Sequence, residues 1–160
     1  MRYMLLLLLP LAALLLSVGY SRFAERRLSE YRALLSLLSY LKGRMSTRLE
    51  TVPEMLSGFS EPALMRSGLF DGVARGEGIY QSFLHARGRL SLSEEVKRII
   101  EPFFRGLGTG YLESELRAID CTREELSAQI AIEEAELTKT VGLYRALLFL
   151  FAAGLVILLI

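Results

Sequence analysis

The sequence is poor in the side chains that build metal and redox sites. Cysteine and histidine each occur once in 160 residues, as Cys121 and His85, and tryptophan is absent. A single cysteine excludes an intramolecular disulfide, and the lack of a second histidine or cysteine argues against a zinc or iron site. It also argues against a Ser-His-Asp or Cys-His catalytic arrangement. We therefore expect no metal, no cofactor and no catalytic residues.

Nucleotide-binding motifs are also missing. Residues 106–110 read Gly-Leu-Gly-Thr-Gly, but they follow a predicted helix and no Walker lysine motif accompanies them, so they predict a helix stop and a turn. Neighbouring carboxylates such as Glu124 and Glu125 diverge on a helix and form no acid-base pair. The net charge of +1 supplies no basic field for nucleic acid. These features predict a protein that is not an enzyme and binds no nucleic acid.

Charge is missing from both ends of the chain. Residues 3–21 and 146–160 carry no charged side chain, although charged residues make up 23% of the sequence. A helix of about 20 apolar residues crosses a hydrocarbon core. We therefore predict transmembrane helices at residues 3–21 and 140–160, with Arg145 extending its guanidinium to the headgroups. Residues 147–160 contain no polar side chain, which argues against a buried amphipathic helix there.

A cleaved signal peptide is the alternative for the first segment. Arg2 supplies a basic start, and Ser17 and Gly19 are small residues where a peptidase could cut. However, the uncharged run is long enough to span a bilayer, and Tyr20 lies where an interfacial aromatic residue belongs. We favour a retained anchor and leave cleavage open.

Basic residues flank both apolar segments on the side of the central domain. They are Arg22, Arg26, Arg27, Lys139 and Arg145. Because basic residues are enriched on the cytoplasmic side of a membrane, we expect residues 22–139 to form a cytoplasmic domain and both termini to lie outside. One free cysteine also suits the cytoplasm. Alternatively, the basic residues after the first segment contact anionic lipid headgroups.

The central domain has a helical hydrophobic period. Leu28, Tyr31, Leu35 and Leu38 recur at three- and four-residue steps and leave Glu30 on another face. This pattern predicts a long helix that continues from the first apolar segment. Alternating runs typical of strands are not present at useful length.

Prolines and glycines divide the middle of the chain. Pro53 and Pro62 each predict the start of a short helix, the second of which reaches about Leu69. The glycine-rich residues 67–89 are predicted to be the least regular part of the chain, with a weak amphipathic turn or two.

Two further helices are predicted in the second half. A capping box of Ser91 and Glu94 opens the first, which Pro102 is expected to kink or break. The second begins near Tyr111 and is expected to pause at residues 120–122. The fold class is therefore predicted to be all-α, an antiparallel helical bundle between an N-terminal and a C-terminal transmembrane helix.

Charge divides between the two long helices. Residues 22–52 hold seven bases and three acids, whereas residues 111–138 hold eight acids and two bases. Packing side by side would bring these opposite charges together, although two independently solvated faces are an equal alternative. In a third interpretation the acidic face binds a basic partner. Its candidate residues are Glu113, Glu124, Glu125, Glu133, Glu134 and Glu136.

Several segments together resemble one known family. Residues 141–150 read Val-Gly-Leu-Tyr-Arg-Ala-Leu-Leu-Phe-Leu, residues 52–56 read Val-Pro-Glu-Met-Leu, and residues 103–108 read Phe-Phe-Arg-Gly-Leu-Gly. With the apolar N-terminal segment and a domain of about 120 residues between the two apolar ends, the chain resembles stage III sporulation protein AB of endospore-forming bacteria. The resemblance spans nearly the whole chain.

The resemblance implies a fold and a function. The domain would be similar to the helical cytoplasmic domains of the type II secretion platform protein. The protein would be a non-enzymatic platform or scaffold in the mother-cell membrane facing the forespore, within a secretion-like channel complex needed for sporulation. Its partners would be other subunits of that complex, with a cytoplasmic secretion-type ATPase as one candidate, and a homo-oligomer is left open. The alternative is a general membrane-anchored adaptor or envelope or division factor unrelated to sporulation.

Overall fold

The computed structural model describes residues 2–47 and 50–159, and every regular element in these ranges is a helix. The predicted all-α class is therefore confirmed. The helices are α1 (Arg2–Thr47), α2 (Val52–Ser57), α3 (Pro62–Met65), α4 (Asp71–Ala74), α5 (Ile79–Ala86), α6 (Glu94–Gly106) and α7 (Leu112–Leu159).

The chain divides into two compact units. One contains the residues up to Glu25 and those from Ile132 onward, and the other is Arg26–Ala131. In the first unit Ala24 and Leu137 are buried, while Phe23 is half-exposed. Over the described residues no helix combines the length and the apolar composition needed to cross a membrane. The two transmembrane helices are thus not confirmed and stay predictions.

The core of the second unit is built on one face of α1. Tyr31, Leu34, Leu37, Leu38 and Leu41 each expose 1% or less of their surface. These positions recur at three- and four-residue steps, as the helical period requires. The buried face of α1 is turned slightly from the predicted apolar stripe. Leu28 and Leu35, which the prediction included, are only partly buried at the margin of the core.

Glu30 corrects the sequence prediction more sharply. Its side chain was expected on a face of α1 other than the apolar one, but it exposes only 2% of its surface. A buried carboxylate requires hydrogen-bond donors to replace water, and the donors here come from a segment far along the chain. Their geometry is described below.

The short helices complete the core between α1 and α6. Thr51 precedes α2, and its backbone N–H donates to Glu54 Oε2 at 2.8 Å, a bond that lowers the pKa of the Glu54 carboxyl. Pro62 opens α3 as predicted, but the helix ends at Met65 instead of near Leu69. The chain then turns through Gly68, whose φ of +75° is in the left-handed region that favours glycine.

The glycine-rich middle contains the amphipathic turns that were predicted. α5 has 8 residues, about two turns, and it buries Ile79, Ser82, Phe83 and Ala86. Its Phe83 ring lies 5.2 Å from the ring of Phe104 on α6, measured between centroids. Burial along one face at helical spacing therefore fixes α5 against α6.

The start of α6 is displaced from the predicted capping box. Ser93, not Ser91, is the N-cap, and its Oγ accepts the N–H of Val96 at 3.2 Å. The backbone N–H of Ser91 donates to Glu30 instead of to Glu94, the partner that the predicted capping box requires. The predicted break at Pro102 is also wrong, since α6 continues to Gly106. Pro102 is exposed, so water can solvate the carbonyl that proline leaves without a helical donor.

The predicted pause in the last helix is likewise absent. α7 runs without interruption from Leu112 to Leu159. Asp120 lies inside α7, and its carboxylate accepts hydrogen bonds from Lys42 Nζ at 2.6 and 2.8 Å. Lys42 is near the end of α1 and Asp120 near the beginning of α7, as expected for an antiparallel pair. Ile119, Leu126 and Ile130 place α7 in the same core as α1.

Matched leucine variants test the assignment of α3 to the core. Leu64 is fully buried on α3, whereas Leu84 on α5 is 38% exposed. We expect Leu64→Ala to lower the free energy of unfolding by about 2–5 kcal/mol, because it removes buried methyl groups and leaves a cavity.

The control for this change is Leu84→Ala, for which we expect a loss below about 1 kcal/mol. Urea unfolding followed by circular dichroism measures both. Equal losses in the two variants would show that α3 is not part of the core.

Candidate functional site

The first polar cluster joins α1 to the segment that leads into α6. Glu30 Oε2 accepts the backbone N–H of Ser91 at 2.6 Å, and Glu30 Oε1 accepts Arg26 Nε at 3.2 Å. The hydroxyl oxygen of the next residue, fully buried Tyr31, accepts the N–H of Ser93 at 3.3 Å. Two consecutive residues of α1 thus hold two backbone amides of residues 91–93.

Two of the predicted membrane-flanking arginines belong to this cluster. Arg26 also donates to the carbonyl oxygen of Arg89 at 3.4 Å. Arg27 Nε donates to Tyr31 Oη at 2.7 Å, and its guanidinium lies 5.7 Å from the centre of the Tyr31 ring. Arg22 is exposed in the other unit. Arg26 and Arg27 therefore support the fold in addition to any role at a membrane surface.

The remaining basic and acidic candidates are placed as follows. Lys139 is exposed, and the side chain of Arg145 lies outside the described residues. Glu113, Glu124 and Glu125 are exposed in the second unit. In the first unit Glu136 is exposed, Glu134 is partly buried and Glu133 is 8% exposed. Three of the predicted acids thus lie in each unit, and the acidic face stays a prediction.

Ion pairs link the two long helices and also α5 with α6. Lys42 and Asp120 realise the predicted contact between the basic and the acidic helix, with 42% and 47% of their side chains exposed. On α6, the carboxylate of Glu101 accepts hydrogen bonds from the guanidinium groups of Arg87 at 3.1 Å and Arg105 at 3.0 Å. Tyr80 Oη accepts Arg105 at 2.9 Å, and this bond raises the pKa of the arginine.

A groove lies at the end of the second unit where α1 stops and α7 begins. It encloses about 580 Å³. Its walls combine apolar side chains with three carboxylates, Glu50, Glu77 and Glu115. His85 Nδ1 lies 3.4 Å from Glu77 Oε2, and the imidazole is 65% exposed. Within the described ranges no group of three metal-binding side chains is placed to hold an ion.

Glu115 organises the turn beside this groove. Its Oε1 accepts the backbone N–H of Gly108 at 2.8 Å and that of Gly110 at 2.9 Å. Gly108 has a φ of +84°, which explains why glycine occupies this turn. Glu115 is 8% exposed, and its other oxygen, Oε2, is buried with no hydrogen-bond partner in the described part of the chain.

Comparison with known proteins identifies the family. A family model described as stage III sporulation protein AB matches residues 2–160. The chain belongs to this family. The match covers both apolar ends as well as the helical domain, and it confirms the resemblance drawn from residues 52–56, 103–108 and 141–150. No curated protein and no solved structure matches the chain significantly.

Sequence reasoning missed the two best-defined polar sites of this family member. Glu30 was assigned to another face of its helix, and Glu115 was counted only among the acids of the last helix. A signal existed for Glu115, because an acid a few residues after several glycines can accept hydrogen bonds from their backbone amides. No local signal existed for Glu30, since its partner Ser91 is 61 positions away.

A pair of substitutions tests the Glu30 contact. We expect Glu30→Ala to lower the free energy of unfolding by about 1–3 kcal/mol, because the partly buried N–H of Ser91 loses its acceptor. Glu30→Gln keeps an acceptor oxygen and should lose less.

Thermal and urea unfolding of the two variants provide the measurement. Residues 91–93 should also exchange their amide hydrogens faster in Glu30→Ala than in the parent protein. Unchanged exchange at Ser91 would contradict this account of the contact.

Proposed function

We propose that this protein is a membrane-attached, non-enzymatic scaffold of a secretion-like complex between mother cell and forespore. The family match over residues 2–160 supports the coarser part of this proposal, a role in sporulation. The finer part rests on the build of the chain and on its charge pattern. It extends the family assignment to a location, a topology and a class of partner.

The two long helices are the main structural support for a scaffold. α1 has 46 residues and α7 has 48, and each extends from an apolar terminal segment into the polar domain without a break. A continuous helix satisfies its backbone hydrogen bonds internally and rises 1.5 Å per residue. We propose that residues 3–21 and 140–160 are the membrane helices and that residues 22–139 lie in the cytoplasm.

The polar contacts of the domain also favour a rigid scaffold. Glu30 binds Ser91, Lys42 binds Asp120, and Glu101 binds Arg87 and Arg105. Each of these contacts joins different helices or a helix to a loop, except for the Glu101–Arg105 pair within α6. Such contacts fix the arrangement of the helices against one another. The surface presented to partners would therefore keep one shape.

Partners are proposed from the same reasoning. Other membrane subunits of the sporulation complex would contact the apolar ends, and a cytoplasmic secretion-type ATPase is a candidate for the domain. The exposed acids Glu113, Glu124 and Glu125 offer negative charge to a basic partner. A general membrane adaptor outside sporulation is the competing function.

Deletion of the gene in an endospore-forming host tests the function. We expect loss of heat-resistant spores with normal vegetative growth, and restoration by the full-length chain. Affinity purification of the restored, tagged protein should recover other membrane subunits. Normal spore counts after deletion would exclude the sporulation scaffold, and a vegetative envelope or division defect would favour the general adaptor.

Cysteine labelling tests the proposed topology. In a Cys121→Ser background, a cysteine replacing exposed Ser57 should react with a membrane-impermeant maleimide only after the cells are permeabilised. A cysteine replacing Arg2, which precedes the proposed membrane helix, should react in intact cells, because the basic residues after the span keep the domain inside.

The same experiment reports on processing of the N-terminus. Absence of the Arg2→Cys label from the purified protein, together with a shortened mass, would show that the first segment is cleaved. Labelling of Ser57→Cys in intact cells would overturn the proposed orientation.

A further inference from the structure

The groove between the end of α1, α2 and the start of α7 has features of a binding site. It lies within the second unit and is open to solvent on one side. Val52 and Leu56 from α2, Ile79 from α5 and Leu107 after α6 provide apolar walls. A cavity of about 580 Å³ can hold a long side chain with part of its backbone.

Glu115 gives this groove a chemical preference. Its Oε1 is already occupied by the amides of Gly108 and Gly110, whereas Oε2 has no hydrogen-bond partner among the described residues. The side chain is more than nine-tenths buried. A carboxylate oxygen held away from water without a donor is unfavourable, so a rotation of the Glu115 carboxylate toward a donor that enters the groove gains a charge-assisted hydrogen bond.

The other two carboxylates add negative charge to the same groove. Glu50 is paired with Arg44 at 3.1 Å, and Glu77 with Arg75 at 3.2 Å. For Glu115 the described residues supply no cation. The groove therefore combines an apolar wall with one carboxylate that lacks a positive partner.

We propose that this groove binds an arginine side chain of a partner protein. The apolar walls match the three methylene groups of an arginine, and the buried Oε2 of Glu115 matches its guanidinium. Arginine fits better than lysine because its planar group can donate to more than one carboxylate at once. The inference rests on the proposed scaffold role, and it names the partner chemistry that one surface of the scaffold recognises.

The first test uses the full-length protein in detergent micelles with N-butylguanidinium as the probe. We expect the amide resonances of Gly108 and Gly110 to shift on titration, because both amides are bonded to Glu115. N-Butylurea, which has a similar shape and no charge, should bind at least about tenfold more weakly. Equal binding of the two probes would overturn the proposal.

Charge-neutral variants locate the contact. Glu115→Gln keeps an acceptor for Gly108 and Gly110 but removes the charge. We therefore expect it to lower the affinity for the guanidinium probe at least about tenfold. Glu113→Gln is the matched control on an exposed position of the same helix, and it should bind as the parent does. Equal affinity of the two variants would place the contact elsewhere.

Two further variants keep the test decisive. Should Glu115→Gln fail to fold, Val52→Arg places a guanidinium of the chain at the wall of the groove and should block the probe. Arg48 lies outside the described residues but precedes Glu50 closely in sequence. The titration is therefore repeated with Arg48→Gln, which removes this nearby cation. If the probe binds neither the parent protein nor Arg48→Gln, the proposal is overturned.

A cellular arm separates this inference from the scaffold role. In the deletion host, Glu115→Gln should restore at least about tenfold fewer heat-resistant spores than Glu113→Gln, at equal protein level. Equal restoration would overturn the partner contact while leaving the scaffold role intact. Failure of the scaffold role would be seen separately, as normal sporulation without the gene.

Discussion

The arrangement of the second unit depends on the buried carboxylate of Glu30. A carboxylate that exposes 2% of its surface is stable only where donors replace water, and the N–H of Ser91 at 2.6 Å is such a donor. This contact fixes residues 91–93 against α1. Ser93 is then positioned to cap α6, and α6 in turn carries Phe104 to Phe83. One interaction across 61 positions therefore sets the placement of two helices.

The periodic features of this fold could be predicted from sequence, whereas its long-range contacts could not. Hydrophobic spacing predicted α1, α6 and α7, and proline predicted the starts of α2 and α3, because these signals are local. Only Ser91 has an acid, Glu94, at capping-box distance, so the local pattern favours Ser91 although the structure uses Ser93 as the N-cap. The proposed binding groove was out of reach for the same reason, since its walls come from four separate parts of the chain.

Charge and apolar packing contribute differently to the pairing of the long helices. Lys42 and Asp120 are each nearly half-exposed, so their ion pair contributes only about 0.2–1 kcal/mol. Burial of Leu34, Leu37 and Leu38 against the core contributes far more. The charges therefore select the register of α1 and α7, while apolar burial holds them together. This division allows most of the acidic side chains of α7 to remain exposed in the second unit.

The same division bears on how a scaffold would choose its partner. The exposed acids Glu113, Glu124 and Glu125 attract any basic surface and discriminate little, because solvent and salt screen them. Glu115 differs from them because its free oxygen is buried beside an apolar wall. A partner that fills the groove without a cation would leave this oxygen unsatisfied, and such a mismatch is penalised more strongly than a lost surface pair. In the proposed complex, exposed acids would therefore speed the encounter, and Glu115 would decide which partner stays bound.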